Sequence, residues 1–110
     1  MERENLTFQK RDDTLIACLC CEIDHHTARH LRQRLDSELF LHRPRTLIMD
    51  FSGVKFMDSS GIALILGRCE AARAVGAVVT VKGLSPVLYK LVRLSGLERV
   101  RGLTVMAADC

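Results

Sequence analysis

Residues 47–62 read LIMDFSGVKFMDSSGI, and this stretch decides how the rest of the chain is interpreted. It opens as an apolar run that is typical of a buried strand, and a short turn follows. Two hydroxyls, on Ser59 and Ser60, then stand where a helix is predicted to begin, with Asp58 as its N-cap. A buried strand that leads directly into a capped helix is the building unit of α/β folds.

The same alternation runs along the whole chain. Hydrophobic patterns predict strands at residues 5–9, 14–21, 46–51, 77–81 and 100–105, with a charged turn at 10–13. Capping signals predict three helices, which run from Asp24 to about Phe40, from near Asp58 to Gly76, and from Ser85-Pro86 to Gly96. This order predicts an α/β fold with a mostly parallel sheet.

Each predicted helix carries an apolar stripe that is expected to face the core. The three stripes comprise Ala28, Leu31, Leu35 and Leu39 on the first helix, Ile62, Ile65, Leu66 and Cys69 on the second, and Val87, Leu88, Leu91 and Val92 on the third. Four charged residues of the first helix lie off its stripe and should be solvated, namely Arg29, Arg32, Arg34 and Glu38.

Composition limits the class of protein. With 110 residues, 48% apolar and 26% charged, the chain fits one folded domain over residues 1–110, with 106–110 expected to be loose. The net charge of +3 is too small to indicate nucleic-acid binding by itself. No apolar run of about eighteen residues is present and the N-terminus lacks an apolar signal core, so we expect a cytoplasmic protein that does not cross a membrane.

The five cysteines favour neither disulfides nor a metal site. Their number is odd and no export signal accompanies them, which argues against disulfides. A metal site would need Cys20 or Cys21 together with His26 and His30, but the chain has no CxxC pair. We therefore expect no bound metal, and we expect the thiols near residue 20 to be buried as small apolar groups.

Functional residues are expected where strands end and helices begin, because ligands and partners gather at that edge of a parallel sheet. Three such junctions, at residues 22–25, 57–60 and 83–86, should share it. A phosphate on Ser59 would be tolerated at a helix N-terminus and would add about −1.5 to −2 charges beside Asp58 and Asp24. Met57 is expected to be an exposed apolar anchor for a partner. The simpler alternatives are that the polar residues only cap helices and that Met57 belongs to the core.

Catalysis is not expected. The chain contains no GxSxG elbow, no GxxxxGK[ST] loop and no GxGxxG fingerprint. A triad of Ser59, His25 and Asp24 can be drawn, but nothing in the sequence positions an oxyanion hole beside it.

Two segments resemble a known family. Residues 56–68, FMDSSGIALILGR, resemble the signature of the anti-sigma factor antagonists, whose fold is the STAS domain, and residues 22–28, EIDHHTA, resemble the matching loop and helix start. The histidine pair and the Leu-Gly-Arg ending are similar to the sporulation branch of that family. The similarity covers residues 6–105. It implies a single STAS-like domain with one antiparallel edge strand and helices packed mainly on one side of the sheet.

The resemblance also implies a partner switch without a cofactor. In the family, the unphosphorylated antagonist binds an anti-sigma factor that is also an ATP-dependent serine kinase, and this frees a sigma factor. The kinase then phosphorylates the first serine of the motif, here Ser59, and a phosphatase reverses the reaction. The residues expected to contact the partner are Asp24, His25, Met57, Asp58, Ser60, Gly61, Leu84 and Ser85.

The chain departs from the family pattern in two places. Cys21 stands before Glu22, where family members commonly have glycine, and a side chain there is expected to alter the end of the strand before Asp24. The C-terminus is short, so the final helix of typical members is expected to be absent or reduced to a turn.

Three other functions stay open. The first is a scaffold or stressosome-type STAS protein of another partner-switching pathway. The second is a small-nucleotide-binding module that uses the same helix N-termini. The third, ranked last because aromatic residues are scarce, is a nucleic-acid binder that uses Arg29, Arg32, Arg34, Arg43 and Arg45.

Overall fold

The computed structural model describes residues 5–107. In chain order the elements are β1 (Leu6–Arg11), β2 (Thr14–Leu19), α1 (His25–His42), β3 (Thr46–Asp50), α2 (Ser59–Ala74), β4 (Val78–Lys82), α3 (Pro86–Ser95) and β5 (Leu103–Val105), with a short 3-10 turn at Leu97–Arg99. The predicted order of strands and helices is confirmed. Within residues 5–107, no helix follows β5, and none is long and apolar enough to cross a membrane.

The strands form one sheet in the order β1-β2-β3-β4-β5. The β1–β2 pair is antiparallel, and the other pairs are parallel. Because β2 to β5 run in one direction and lie in chain order, right-handed crossovers place all three connecting helices on the same face of the sheet. This confirms the predicted α/β fold with one antiparallel edge strand and one helical layer.

The core lies between the sheet and this helical layer. Alternate strand residues point into it, among them Leu15, Leu47 and Val79, which stand side by side across three parallel strands. Their sequence neighbours, such as Ile48, point to the helix-free face and are half-buried. A two-residue alternation of this kind is expected of strands in a sheet that has helices packed on one face and none on the other.

The buried faces of two helices differ from the prediction. Leu66 on α2 is exposed, whereas Leu64 and Arg68 are buried. Apolar residues occur on most sides of α2, so two stripes offset by one residue both have helical spacing. Packing against the sheet and α1 determines which of the two stripes is buried. Val87, in the first turn of α3, is also exposed, contrary to the prediction.

Smaller differences concern the ends of elements. The first turn spans only Asp12 and Asp13, and β2 ends at Leu19, so Cys20 is exposed and the expectation that it is buried is wrong. The N–H of Met106 donates to the Val81 carbonyl at 2.9 Å, which extends the pairing of β4 just past β5. The expected loose tail at 106–110 stays a prediction, since residues 108–110 lie outside the described range.

Candidate functional site

Two of the three predicted junctions are joined directly. Ile23, after β2, and Met57, after β3, form an isolated parallel bridge. The Ile23 N–H donates to the Phe56 carbonyl at 3.0 Å, and the Asp58 N–H donates to the Ile23 carbonyl at 3.1 Å. Since Asp24 and Asp58 each lie one residue beyond this bridge, the starts of α1 and α2 stand side by side at the carboxyl edge of the sheet.

Asp24 caps α1, as predicted. Its Oδ1 accepts hydrogen bonds from the backbone N–H groups of His26 and Thr27, both at 2.9 Å, and its own N–H donates to the Thr27 hydroxyl at 3.0 Å. The Thr27 hydroxyl also donates to the Glu22 carbonyl at 2.8 Å. The hydrogen bond from the Thr27 backbone is the main cause that lowers the pKa of Asp24, so this carboxylate is held in its charged form. His25, the first residue of α1, is exposed.

Asp58 caps α2 in the same manner, accepting a hydrogen bond from the Ser60 N–H at 2.7 Å. Ser59 is the first residue of the helix, and its side chain is exposed. Its hydroxyl is therefore within reach of another protein. Ser60 is half-buried and faces a cleft between α1 and α2. This edge thus presents one accessible hydroxyl beside two capping carboxylates.

Met57 is buried, with 4% of its surface exposed, and the prediction of an exposed anchor is wrong. Its side chain lies over the first turn of α2, where a Cβ on Gly61 would collide with its Cγ and Sδ atoms. Gly61 is itself buried, so neither residue is placed for the direct partner contact that was expected. The residue before an N-cap often packs against its own helix, and this rule would have predicted the burial of Met57.

Phe56 is the residue that the sequence prediction missed. Neighbouring residues of an extended segment point in opposite directions, and here Met57 points inward while Phe56 is 51% exposed. Its carbonyl accepts the Ile23 hydrogen bond, so its backbone is fixed at this edge. Phe56 thus supplies the exposed apolar side chain that had been assigned to Met57.

The third junction is capped by Ser85, whose Oγ accepts a hydrogen bond from the Leu88 N–H at 3.2 Å. Gly83 has a φ of +76°, and a Cβ there would collide with Asp50 Oδ1 and Ser52 Oγ. This close approach fixes the junction against the end of β3. Leu84 is only 2% exposed and its side chain belongs to the core, so it is not placed for the partner contact that was expected.

The cysteines near this edge do not form a metal centre with their neighbours. Among residues 5–107, no group of three or more His, Cys, Asp or Glu side chains is placed to hold a metal ion. Cys21, at the position where glycine was expected, is half-buried, and burial is the main cause that raises the pKa of its thiol. The Asp24 cap nevertheless forms beside it, so Cys21 does not disturb the capping geometry of this loop.

Comparison with known proteins agrees with this geometry. A family model described as the STAS domain matches residues 5–106. The chain belongs to the STAS domain family. This confirms the resemblance drawn from residues 22–28 and 56–68.

Three matches, two of them to structures of SpoIIAA, show which members of the family this STAS domain resembles. It is 34% identical over 104 residues to an anti-sigma F factor antagonist of Lysinibacillus sphaericus, with 83% of this chain and 89% of the relative covered. It is similar to the unphosphorylated anti-sigma factor antagonist SpoIIAA, with 28% identity, a TM-score of 0.70 and coverage of 94% and 89%. The phosphorylated form of SpoIIAA, from Bacillus, matches with 28% identity, a TM-score of 0.68 and coverage of 93% and 91%.

Proposed function

We propose that this STAS domain is an anti-sigma factor antagonist. In its unphosphorylated form it binds an anti-sigma factor that is also a serine kinase, and this binding releases a sigma factor. The observation that carries the proposal is the exposed Ser59 at the first position of α2, joined through the Ile23–Met57 bridge to the start of α1. The relatives named as anti-sigma F factor antagonists support the same function. Our proposal places this function in a sporulation pathway in the cytoplasm.

The docking surface that we propose comprises Phe56, Asp24, His25 and Ser85 around Ser59. Phe56 offers an exposed ring, and aromatic side chains are frequent anchors at interfaces. Asp24 offers a carboxylate that its hydrogen bonds hold in a fixed orientation. Apolar contact at Phe56 would supply affinity, and the charged and polar groups around it would select the partner.

Phosphorylation of Ser59 would reverse binding through charge. A phosphate adds about −1.5 to −2 charges, and at Ser59 it would stand next to the carboxylates of Asp58 and Asp24. A partner that docks there would have to remove water from this concentrated negative charge. Like charges brought together across an interface cost several kcal/mol, which is enough to reverse an interaction of ordinary strength.

The chemistry of transfer would come from the kinase, which would provide ATP, magnesium and the group that accepts the hydroxyl proton. We assign no catalytic step to this chain. A serine phosphatase would remove the phosphate and restore binding.

The test uses the full chain as bait in the cells from which it comes. It should retain a small ATP-binding kinase, and that kinase with ATP should add one phosphate at Ser59. Ser59→Ala should abolish labelling and keep binding, because it removes a hydroxyl and adds no charge. Ser60→Ala, the matched control at the adjacent hydroxyl, should still be labelled.

A carboxylate at Ser59 tests the charge argument itself. Ser59→Asp should weaken kinase binding by about tenfold or more, measured by calorimetry against wild type, although one carboxylate imitates a phosphate dianion incompletely. Equal affinity of Ser59→Asp and wild type would contradict the charge switch. Direct retention of a sigma factor or of RNA would contradict the proposed partner.

A further inference from the structure

An open cleft of about 650 Å³ is lined by residues of α1 and α2. We call it the α1–α2 cleft. Ser60 lies on its wall near the carboxyl edge of the sheet, and Arg68 and Glu70 line it two turns further along α2. From α1 it is lined by Arg29 and Arg32, among others. A volume of this size is typical of sites for small molecules.

The cleft contains a buried guanidinium whose hydrogen bonds are incomplete. Arg68 is 5% exposed. Its Nε lies 3.1 Å from Oδ1 of Asp36 on α1, close enough for charge attraction. The pair is nevertheless misaligned, so within the described residues Arg68 Nε, Arg68 Nη1 and Asp36 Oδ1 make no hydrogen bond. We take the ion pair as electrostatic only, because distance without alignment does not satisfy a donor.

Such a group is unusual enough to need a reason. A buried charge with unfilled donors is strongly unfavourable, and native structures contain few of them. Burial is also the main cause that lowers the pKa of Arg68, and Asp36 opposes that change. Arg68 is among the residues that line the cleft, so this space lies beside its side chain, while the Nε and Nη1 atoms themselves have almost no exposed surface.

The charges around Arg68 point to an anion. Arg29 and Arg32 on α1 line the same space, and Glu70 is the one carboxylate among the described lining residues. The rings of His26 and His30 stand edge to face at the same wall, with their centroids 6.1 Å apart. The charged lining is therefore three arginines against Glu70, with Asp36 offsetting part of the charge of Arg68.

Gly67 faces open space in the cleft. It lies inside α2, where glycine is less favourable than alanine. A Cβ built on it meets no atom within 4 Å, so close packing does not explain the glycine.

We propose that the α1–α2 cleft binds a small phosphate-bearing anion, with Arg68 at its floor and Arg29 and Arg32 at its mouth. A guanidinium fork matches phosphate oxygens, and a dianion suits several arginines better than a single carboxylate does. The inference uses neither Ser59 nor the partner switch, so it stands or falls independently of the proposed function.

The experiment titrates inorganic phosphate into the full chain at constant ionic strength and follows backbone amides by NMR. Saturable shifts are expected at Gly67, Arg68 and His30. Glycerol phosphate and acetate form the other arms. Tighter binding of the ester would identify an organic phosphate as the ligand, and tighter binding of the inorganic ion would identify free phosphate. Acetate binding as tightly as phosphate, or the absence of saturable shifts with any of the three, would overturn the proposal.

Variants locate the site. Arg68→Met combined with Asp36→Asn removes the guanidinium without leaving a lone buried carboxylate, and Gly67→Leu fills the cleft while keeping every charge. Each should weaken phosphate binding by about tenfold or more. Arg45→Met, which removes one exposed positive charge at the start of β3, should bind phosphate as wild type does.

The variants remain decisive if one of them is unstable. Should the Arg68 and Asp36 double variant fail to fold, Gly67→Leu carries the test, because a Cβ at this position meets no atom within 4 Å. Unchanged affinity in Gly67→Leu, or an equal loss in Arg45→Met, would overturn the assignment to this cleft.

Discussion

At the scale of single residues, alanine at two glycines of α2 is expected to have opposite effects on the free energy of unfolding. A Cβ on Gly61 would collide with the Met57 side chain, whereas a Cβ on Gly67 meets nothing. Gly61→Ala should therefore lower the free energy of unfolding by about 1–3 kcal/mol through overpacking. Gly67→Ala, its matched control, should raise it by up to about 1 kcal/mol, because alanine favours a helix. Chemical denaturation of both variants measures the difference.

The result would also test the burial of Met57. If Gly61→Ala were as stable as Gly67→Ala, Met57 would not lie over α2 as described. The sequence allowed this residue to be either exposed or buried, since Phe56 and Met57 are adjacent, apolar and similar in size. The position before the N-cap favours burial of Met57, and its pairing with Ile23, which lies 34 positions earlier, fixes which of the two points inward.

At the scale of elements, the start of α1 should depend on pH. Hydrogen bonds hold the pKa of Asp24 below its ordinary value. The charged cap therefore stabilises the fold fully above about pH 4, and this contribution is lost as the pH falls through the lowered pKa. Asp24→Asn should unfold at a lower temperature than wild type at neutral pH, and the gap should close on acidification. Thermal unfolding between about pH 7 and pH 2 measures it. A difference in unfolding temperature that does not change with pH would contradict the stabilising role of the charged Asp24 cap.

Caps are also the part of the fold that the sequence predicts best. Asp24, Asp58 and Ser85 were expected to begin helices and do so, because a cap depends on residues within three positions of it. Buried faces are predicted less well. Leu66 and Leu64 have equivalent spacing on α2, and the choice between them depends on α1 and the sheet. The burial of Arg68 is even harder to predict from the sequence, since Asp36, with which it pairs, is 32 positions away and no local pattern indicates a buried arginine.

At the scale of the whole molecule, the single helical layer makes the two faces of the sheet unequal. Leu47 points to the helices and is fully buried, while its neighbour Ile48 points to the helix-free face and is half-buried. Leu47→Ala should cost about 2–5 kcal/mol of unfolding free energy, whereas Ile48→Ala should cost about 1 kcal/mol. Urea denaturation gives both values. Similar losses at the two positions would mean that something covers the second face.

The bridge between Ile23 and Met57 has a mechanical consequence. The loops that lead into α1 and α2 are hydrogen-bonded to one another. Neither loop can therefore move alone without breaking backbone hydrogen bonds that it shares with the other. A phosphate on Ser59, as we propose, would therefore be attached to a rigid surface. The partner protein would then meet a changed electrostatic field on a surface of unchanged shape.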